Sequence, residues 1–157
     1  MTLANRSLFV EDQEVLAITV YGTPRPAGSK RVVPVGKKGG PKRFIVTDAS
    51  RKSRPWKEDV SREAARVMAG RELIRGALDV TFRFYVARPK GHFGKRGLLA
   101  SARPYPTVRP DALKLARAVE DSLSGIVYHD DAQIVKERLV KEYGAPERVE
   151  IEIRELA

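Results

Sequence analysis

The 157-residue sequence contains no cysteine and only two histidines, His92 and His129. The first absence excludes disulfide scaffolds, zinc fingers, iron–sulfur clusters and thiol nucleophiles, and two imidazoles speak against a multi-histidine metal site or a serine-type triad. No apolar run approaches the ~18 residues of a membrane span. The first ten residues lack the apolar core and small-residue cleavage site of a secretory signal, so a cytoplasmic protein with no membrane partner is expected. Acid is scarce in two long stretches. Residues 23–57 carry 11 basic side chains against one acid, Asp48, and residues 83–109 carry 7 basic side chains and no acid.

These two blocks hold the whole of the +10 net charge, because residues 110–157 carry 11 acids against 7 bases. A solvated charged exterior and a polyanion-binding surface both account for such a balance. Nucleic acid is the commonest polyanion, and an RNA-binding or ribosome-associated basic protein would account for the charge as well. With 42% hydrophobic residues the chain is able to build a core. Its length predicts one domain, residues 14–157, behind a loose arm at 1–13.

Alternation of Leu16, Ile18 and Val20 predicts a strand over 14–21, closed by Gly22-Thr23-Pro24. Two short β-rich pieces, 31–35 and 43–47, flank Gly36-Lys37-Lys38-Gly39-Gly40-Pro41 and predict a hairpin with a cationic tip. Trp56, Val60, Ala64, Val67 and Met68 share one helical face over 54–69, with Pro55 in the first turn, and Trp56 reads as a core anchor. Residues 77–87 form the strongest strand. Residues 88–109 form a long connection in which Phe93 and Tyr105 lie among cations, a mixture suited to bases and phosphates. A second helix spans 110–124, ended by Gly125. A short strand at 126–128 follows, then a hairpin of 132–143 with 148–155. No repeat and no second core is visible, so the expected fold is a small single-domain α+β protein, mostly antiparallel sheet with two main helices.

The segment from Arg109 to Val135 carries the chemistry. Ala112, Leu115, Ala116, Val119 and Leu123 form an apolar stripe on the second helix. Leu113 lies instead on the polar side with Arg117 and Glu120. Asp111 stands at the helix start and Asp130-Asp131 follow the short strand. Paired acids persist in water, beside cations or on a metal, and magnesium takes hard oxygen ligands. The residues alone admit two readings: a capping Asp111 with surface ion pairs and an acidic turn, or carboxylates gathered on a cation. The second requires residues 125–131 to run back along the helix, which extended chain is long enough to do. Asp121, ten residues along the same helix, is too far from Asp111 to share its ion.

Pro110-Asp111-Ala112-Leu113-Lys114-Leu115-Ala116-Arg117-Ala118, then Asp121-Ser122-Leu123-Ser124-Gly125, then Asp130-Asp131-Ala132-Gln133-Ile134 resemble the RusA-like family of Holliday-junction resolvases. Gly22-Thr23-Pro24, the basic segment after it, the first helix and Lys141-Glu142-Tyr143-Gly144 follow the same layout, so the resemblance covers most of 14–155. It implies a homodimeric, magnesium-dependent endodeoxyribonuclease that cuts four-way junctions or related branched DNA, nucleoid-associated in a bacterial or phage-infected cell. By position it implies Asp111 and Asp131 as metal and catalytic carboxylates, with Asp130 ancillary among the metal-side acids. Arg117 takes the place of a helical lysine, suited to steadying phosphate charge but not to giving up a proton. Leu113 stands where the family has a second aspartate. Glu120, on the same helix face, is the candidate substitute ligand, and a junction-binding protein with weak or no nuclease activity is the alternative. The DNA contacts implied are Lys30, Arg31, Lys37, Lys38, Lys42 and Arg43 from the first basic block. Lys90, Lys95, Arg96, Arg103 and Arg109 come from the second, with Lys114 on the helix.

Overall fold

The computed structural model describes residues 14–28, 30–48 and 53–157, so the expected arm at 1–13 lies outside the described residues. In chain order the elements are β1 (Val15–Tyr21), β2 (Lys30–Val35), β3 (Arg43–Asp48), α1 (Ser53–Val67), β4 (Ala77–Val86), β5 (Phe93–Gly94), β6 (Gly97–Leu98), α2 (Ala112–Leu123), β7 (Ile134–Tyr143) and β8 (Arg148–Leu156). Four strands form the central sheet in the order β1-β8-β4-β7, and β2–β3 and β5–β6 are separate antiparallel ribbons. β1–β8 and β8–β4 are antiparallel, and β4–β7 is parallel. The expected α+β class holds.

Period-two alternation explains which face each strand buries. Leu16, Ile18 and Val20 of β1, Leu78, Val80, Phe82 and Phe84 of β4, and Val149, Ile151 and Ile153 of β8 are buried on one side. Trp56, Val60 and Ala64 of α1 and Leu115, Ala116, Val119 and Leu123 of α2 cover them, making a two-layer core. Trp56 is a core residue, as its spacing suggested. Phe82 and Phe84 stack at 6.2 Å between ring centroids and are fully buried. Each such side chain contributes roughly 1.5–3 kcal/mol by leaving water.

The expected pairing of the last two strands is overturned. β7 and β8 are not neighbours, because β4 lies between them. The alternating pattern of both segments suits a hairpin and does not reveal what pairs with what. β4 is more apolar than either and lies between them, bonded along its length to both. β7 is left as an edge, with Val135, Lys136, Glu137 and Arg138 exposed. Its parallel union with β4 runs through α2, as a parallel pair requires a crossover. This βαβ arrangement sets α2 antiparallel to β7, and everything about the site follows from that.

Candidate active site

The N-terminal end of α2 is tied to the C-terminal end of β7. Lys141 Nζ donates to the carbonyls of Val108 and Pro110, each at 2.8 Å. Asp111 occupies the helix N-cap position, yet its carboxylate caps nothing. It is exposed, and its one ionic partner among the described residues is Lys114 at 3.9 Å. It opens on a cleft of about 580 Å³ lined by Thr23–Pro26 on one wall and by Arg109, Pro110, Asp111 and Lys114 on the other. Ala27 N–H donates to the Lys114 carbonyl at 2.8 Å and holds the walls together. Arg25 from the first basic block and Arg109 from the second thus line the same cleft as Asp111. Nothing in the sequence pattern marks Arg25, or Glu147 in the same cleft; only the fold brings them there.

The chain does not run back along α2 after the helix ends. Gly125, with φ at +78°, allows a tight reversal in which its N–H donates to the Tyr128 carbonyl at 2.7 Å. Ile126 and Val127 N–H groups both donate to the Leu123 carbonyl, so the short strand expected at 126–128 is a turn. Tyr128 is fully buried beneath it and its hydroxyl donates to the Glu120 carbonyl at 3.3 Å. Burial first, and then the Glu120 charge, pushes that phenol above its ordinary range.

The acidic pair then divides its labour. Asp130 caps a single 3-10 turn, accepting the Ala132 N–H at 2.8 Å. Gln133 Oε1 accepts from the backbone N–H groups of His129 and Asp130, while its Nε2 donates to the carbonyls of Ile74 and Gly76. One glutamine therefore fastens the turn to the chain entering β4. Asp131 is exposed, and its carboxylate makes no hydrogen bond within the described residues. Asp121 pairs with Lys57 across the helix interface at 2.8 Å.

Asp131 belongs to the C-terminal corner of α2, where its charge acts on Glu120. Asp111 is at the other end; the nine residues from Asp111 to Glu120 span ~13 Å of helix. The expected meeting of Asp111 and Asp131 within one chain does not occur. The structure instead places Glu120 against Glu137 of β7. Burial, then a hydrogen bond and repulsion from Glu137, then the charges of Asp131 and Asp121 push the Glu120 carboxyl up to about 8. Near neutral pH Glu120 keeps its proton and donates a hydrogen bond to Glu137. Sequence reasoning missed Glu137. The available signal was an acid two residues before Leu139, on the strand face that points to the helices.

Leu113 is 67% exposed. Arg117 is also exposed, so neither is needed by the core. Lys37, Lys38, Lys42 and Arg43 are exposed on the β2–β3 ribbon and its tip; Lys90, Lys95, Arg96 and Arg103 are exposed between β4 and α2. The side chains of Lys30 and Arg31 lie outside what the structure describes. Oxygen donors of the kind magnesium prefers are present at both ends of α2. Among the described residues, however, no three acids or imidazoles of one chain converge closely enough to hold an ion. The single-chain arrangement therefore does not fit a complete metal site.

Residues 17–154 match the protein family described as Endodeoxyribonuclease RusA. The chain is also 29% identical over 156 residues to the uncharacterized protein YqaN of Bacillus subtilis (strain 168), covering 92% of this chain and 99% of that protein.

Proposed function

Because the chain belongs to the RusA endodeoxyribonuclease family, we propose that it resolves Holliday junctions or related branched DNA by magnesium-dependent phosphodiester hydrolysis, acting as a C2 homodimer. One observation carries the assignment of residues. Of the four aspartates between 111 and 131, Asp121 and Asp130 are engaged in holding the fold, while Asp111 and Asp131 stand exposed with carboxylates that hydrogen-bond to nothing described. Exposed carboxylates that take no part in holding the fold, one of them lining a basic cleft, are what a nuclease requires and what a stable core does not.

The separation of Asp111 from Asp131 bears directly on the dimer. Two chains related by a two-fold axis, with their α2 helices antiparallel, would bring Asp111 of one to the Asp131 corner of the other. Among the described residues the outer edge of β7 has no strand partner and is available for such an approach. Within each chain, Arg25, Arg109 and Lys114 suit the phosphates flanking the cut, and Arg117 suits charge building on the phosphate under attack.

A synthetic four-way junction incubated with magnesium tests this reading. Paired nicks lost in Asp111→Asn and in Asp131→Asn support it; nicks that survive both substitutions overturn it. Binding without product favours the second reading, a junction-binding protein of the same fold. Exposed Leu113, in the place of the family's second aspartate, is the observation that favours that alternative.

A further inference from the structure

The connection from β4 to α2 carries a small built element at its near end. β5 and β6 pair Phe93 with Leu98 and Gly94 with Gly97, leaving Lys95 and Arg96 as the two-residue turn. Backbone bonds from Leu99 N–H to the His92 carbonyl and from Ala102 N–H to the Leu99 carbonyl extend this ribbon at its base. The base is anchored to the end of β7. The Arg88 guanidinium lies 4.4 Å from the Tyr143 ring centroid, the His92 ring meets the same ring edge-on at 5.5 Å, and Arg88 donates to the Arg103 carbonyl at 2.9 Å.

This anchored ribbon presents apolar side chains to solvent. Phe93 is 51% exposed, Leu98 54% and Leu99 42%. Directly opposed residues share a face, so Phe93 and Leu98 stand together on one side. Leu99 lies over Gly94 on the other: a Cβ on that glycine would come within 2.9 Å of a Leu99 methyl. The tip is thin, apolar on both faces and rimmed by Lys90, Lys95 and Arg96, in a stretch of 27 residues, 83–109, without one acid. A core-seeking ribbon would be covered, and an apolar protein partner would not call for an acid-free rim. Flat apolar surfaces set between phosphates are the faces of nucleic-acid bases.

We propose that the β5–β6 tip is a wedge that enters branched DNA at the point of strand exchange, with Phe93 stacking on an exposed base pair and Lys90, Lys95 and Arg96 holding the flanking phosphates. The proposal rests on the branched-DNA reading above and adds how the branch point is opened. The ribbon is anchored at the end of the sheet that also carries Asp111, since Tyr143 and Lys141 sit on the same end of β7 and Lys141 holds the start of α2. Opening the branch there brings the unstacked strands toward the basic cleft.

The test uses the full chain and a synthetic four-way junction carrying 2-aminopurine beside the branch point, with EDTA present to prevent cutting. At saturating protein the wild type should raise 2-aminopurine fluorescence. Phe93→Ala should lose most of that rise and bind about fivefold or more weakly, the loss of one stacked base. Phe93→Trp should restore the rise, and Tyr21→Ala, an exposed ring on β1 outside both basic blocks, should leave it intact. Binding without any rise in the wild type, or an equal rise in Phe93→Ala, overturns the wedge and leaves the branched-DNA reading standing. Failure of the wild type to bind the junction overturns that reading and the wedge with it. Loss of a dimer in Phe93→Ala by light scattering would make the tip a contact between chains and also overturn the proposal.

Discussion

The contact between Glu120 and Glu137 gives the protein a pH-dependent stability that a single substitution should remove. Raised from 4.5 to about 8, the Glu120 carboxyl keeps its proton in the folded state across a range where the unfolded chain has released it. The folded state then binds more protons, so the contribution of this group to stability is greatest below pH 4.5 and falls as pH rises, until Glu120 ionises near pH 8. One proton held across each pH unit of that range is worth about 1.4 kcal/mol, setting a ceiling of about 5 kcal/mol for the full interval. Glu137 is exposed and Glu120 only partly buried, so water screens the repulsion well below that ceiling. Between pH 6 and pH 9, which takes in just over half the interval, a loss of about 1 kcal/mol is expected.

Urea unfolding at pH 6 and pH 9, in EDTA, measures it. Glu120→Gln cannot ionise, so the difference between wild type and this variant should grow by about 1 kcal/mol over that range. At pH 9 the variant should be the more stable protein. Glu137→Gln should recover only part of the effect, because burial ranks ahead of Glu137 among the causes. A constant difference between wild type and Glu120→Gln at the two pH values would refute the shared proton.

Gln133→Ala should be the most damaging polar substitution near the site. It removes an acceptor for two backbone N–H groups and a donor to two carbonyls, at roughly 2–3 kcal/mol by urea unfolding; a loss below about 0.5 kcal/mol would argue against the fastened turn. Asp121→Asn breaks the exposed pair with Lys57 and should cost under about 1 kcal/mol while leaving junction cleavage unchanged. Leu113→Asp should leave stability within about 0.5 kcal/mol, since the side chain is exposed, and should raise the rate of magnesium-dependent nicking. No gain would mean that position 113 does not limit this chain.

The sequence held more of the local structure than of the pairing. Alternation located β1, β4 and β8, and helical spacing located α1 and α2, because burial on one face imposes a period on each element separately. Pairing obeys no such local rule. β7 and β8 are joined by a short connection and alternate like a hairpin, yet β4 outcompetes each for the other by offering more apolar surface. Residues 126–128 look like strand because Ile126 and Val127 are β-branched; Gly125 at positive φ turns them into a reversal instead. Motif order pointed to Asp111 and Asp131 but carried no distance between them. Glu137 went unseen because its significance lies in the inward face of an edge strand, a property of the assembled sheet.

That missing distance is the most consequential outcome for function. Had the chain run back along α2, one subunit would have held both carboxylates and a monomer would have been a sufficient nuclease. The Gly125 reversal keeps Asp131 at the far end of the helix, and Lys141 keeps Asp111 at the near end. Two ends of one rigid helix cannot approach each other, so no closure within the subunit brings them onto one ion. If both aspartates serve one cut, a second chain has to supply one of them, and activity becomes a property of the dimer. Mixing Asp111→Asn chains with Asp131→Asn chains should then restore nicking at one of the two sites in each mixed dimer. Neither parent should cut alone, and a mixture as inactive as its parents would refute the shared site.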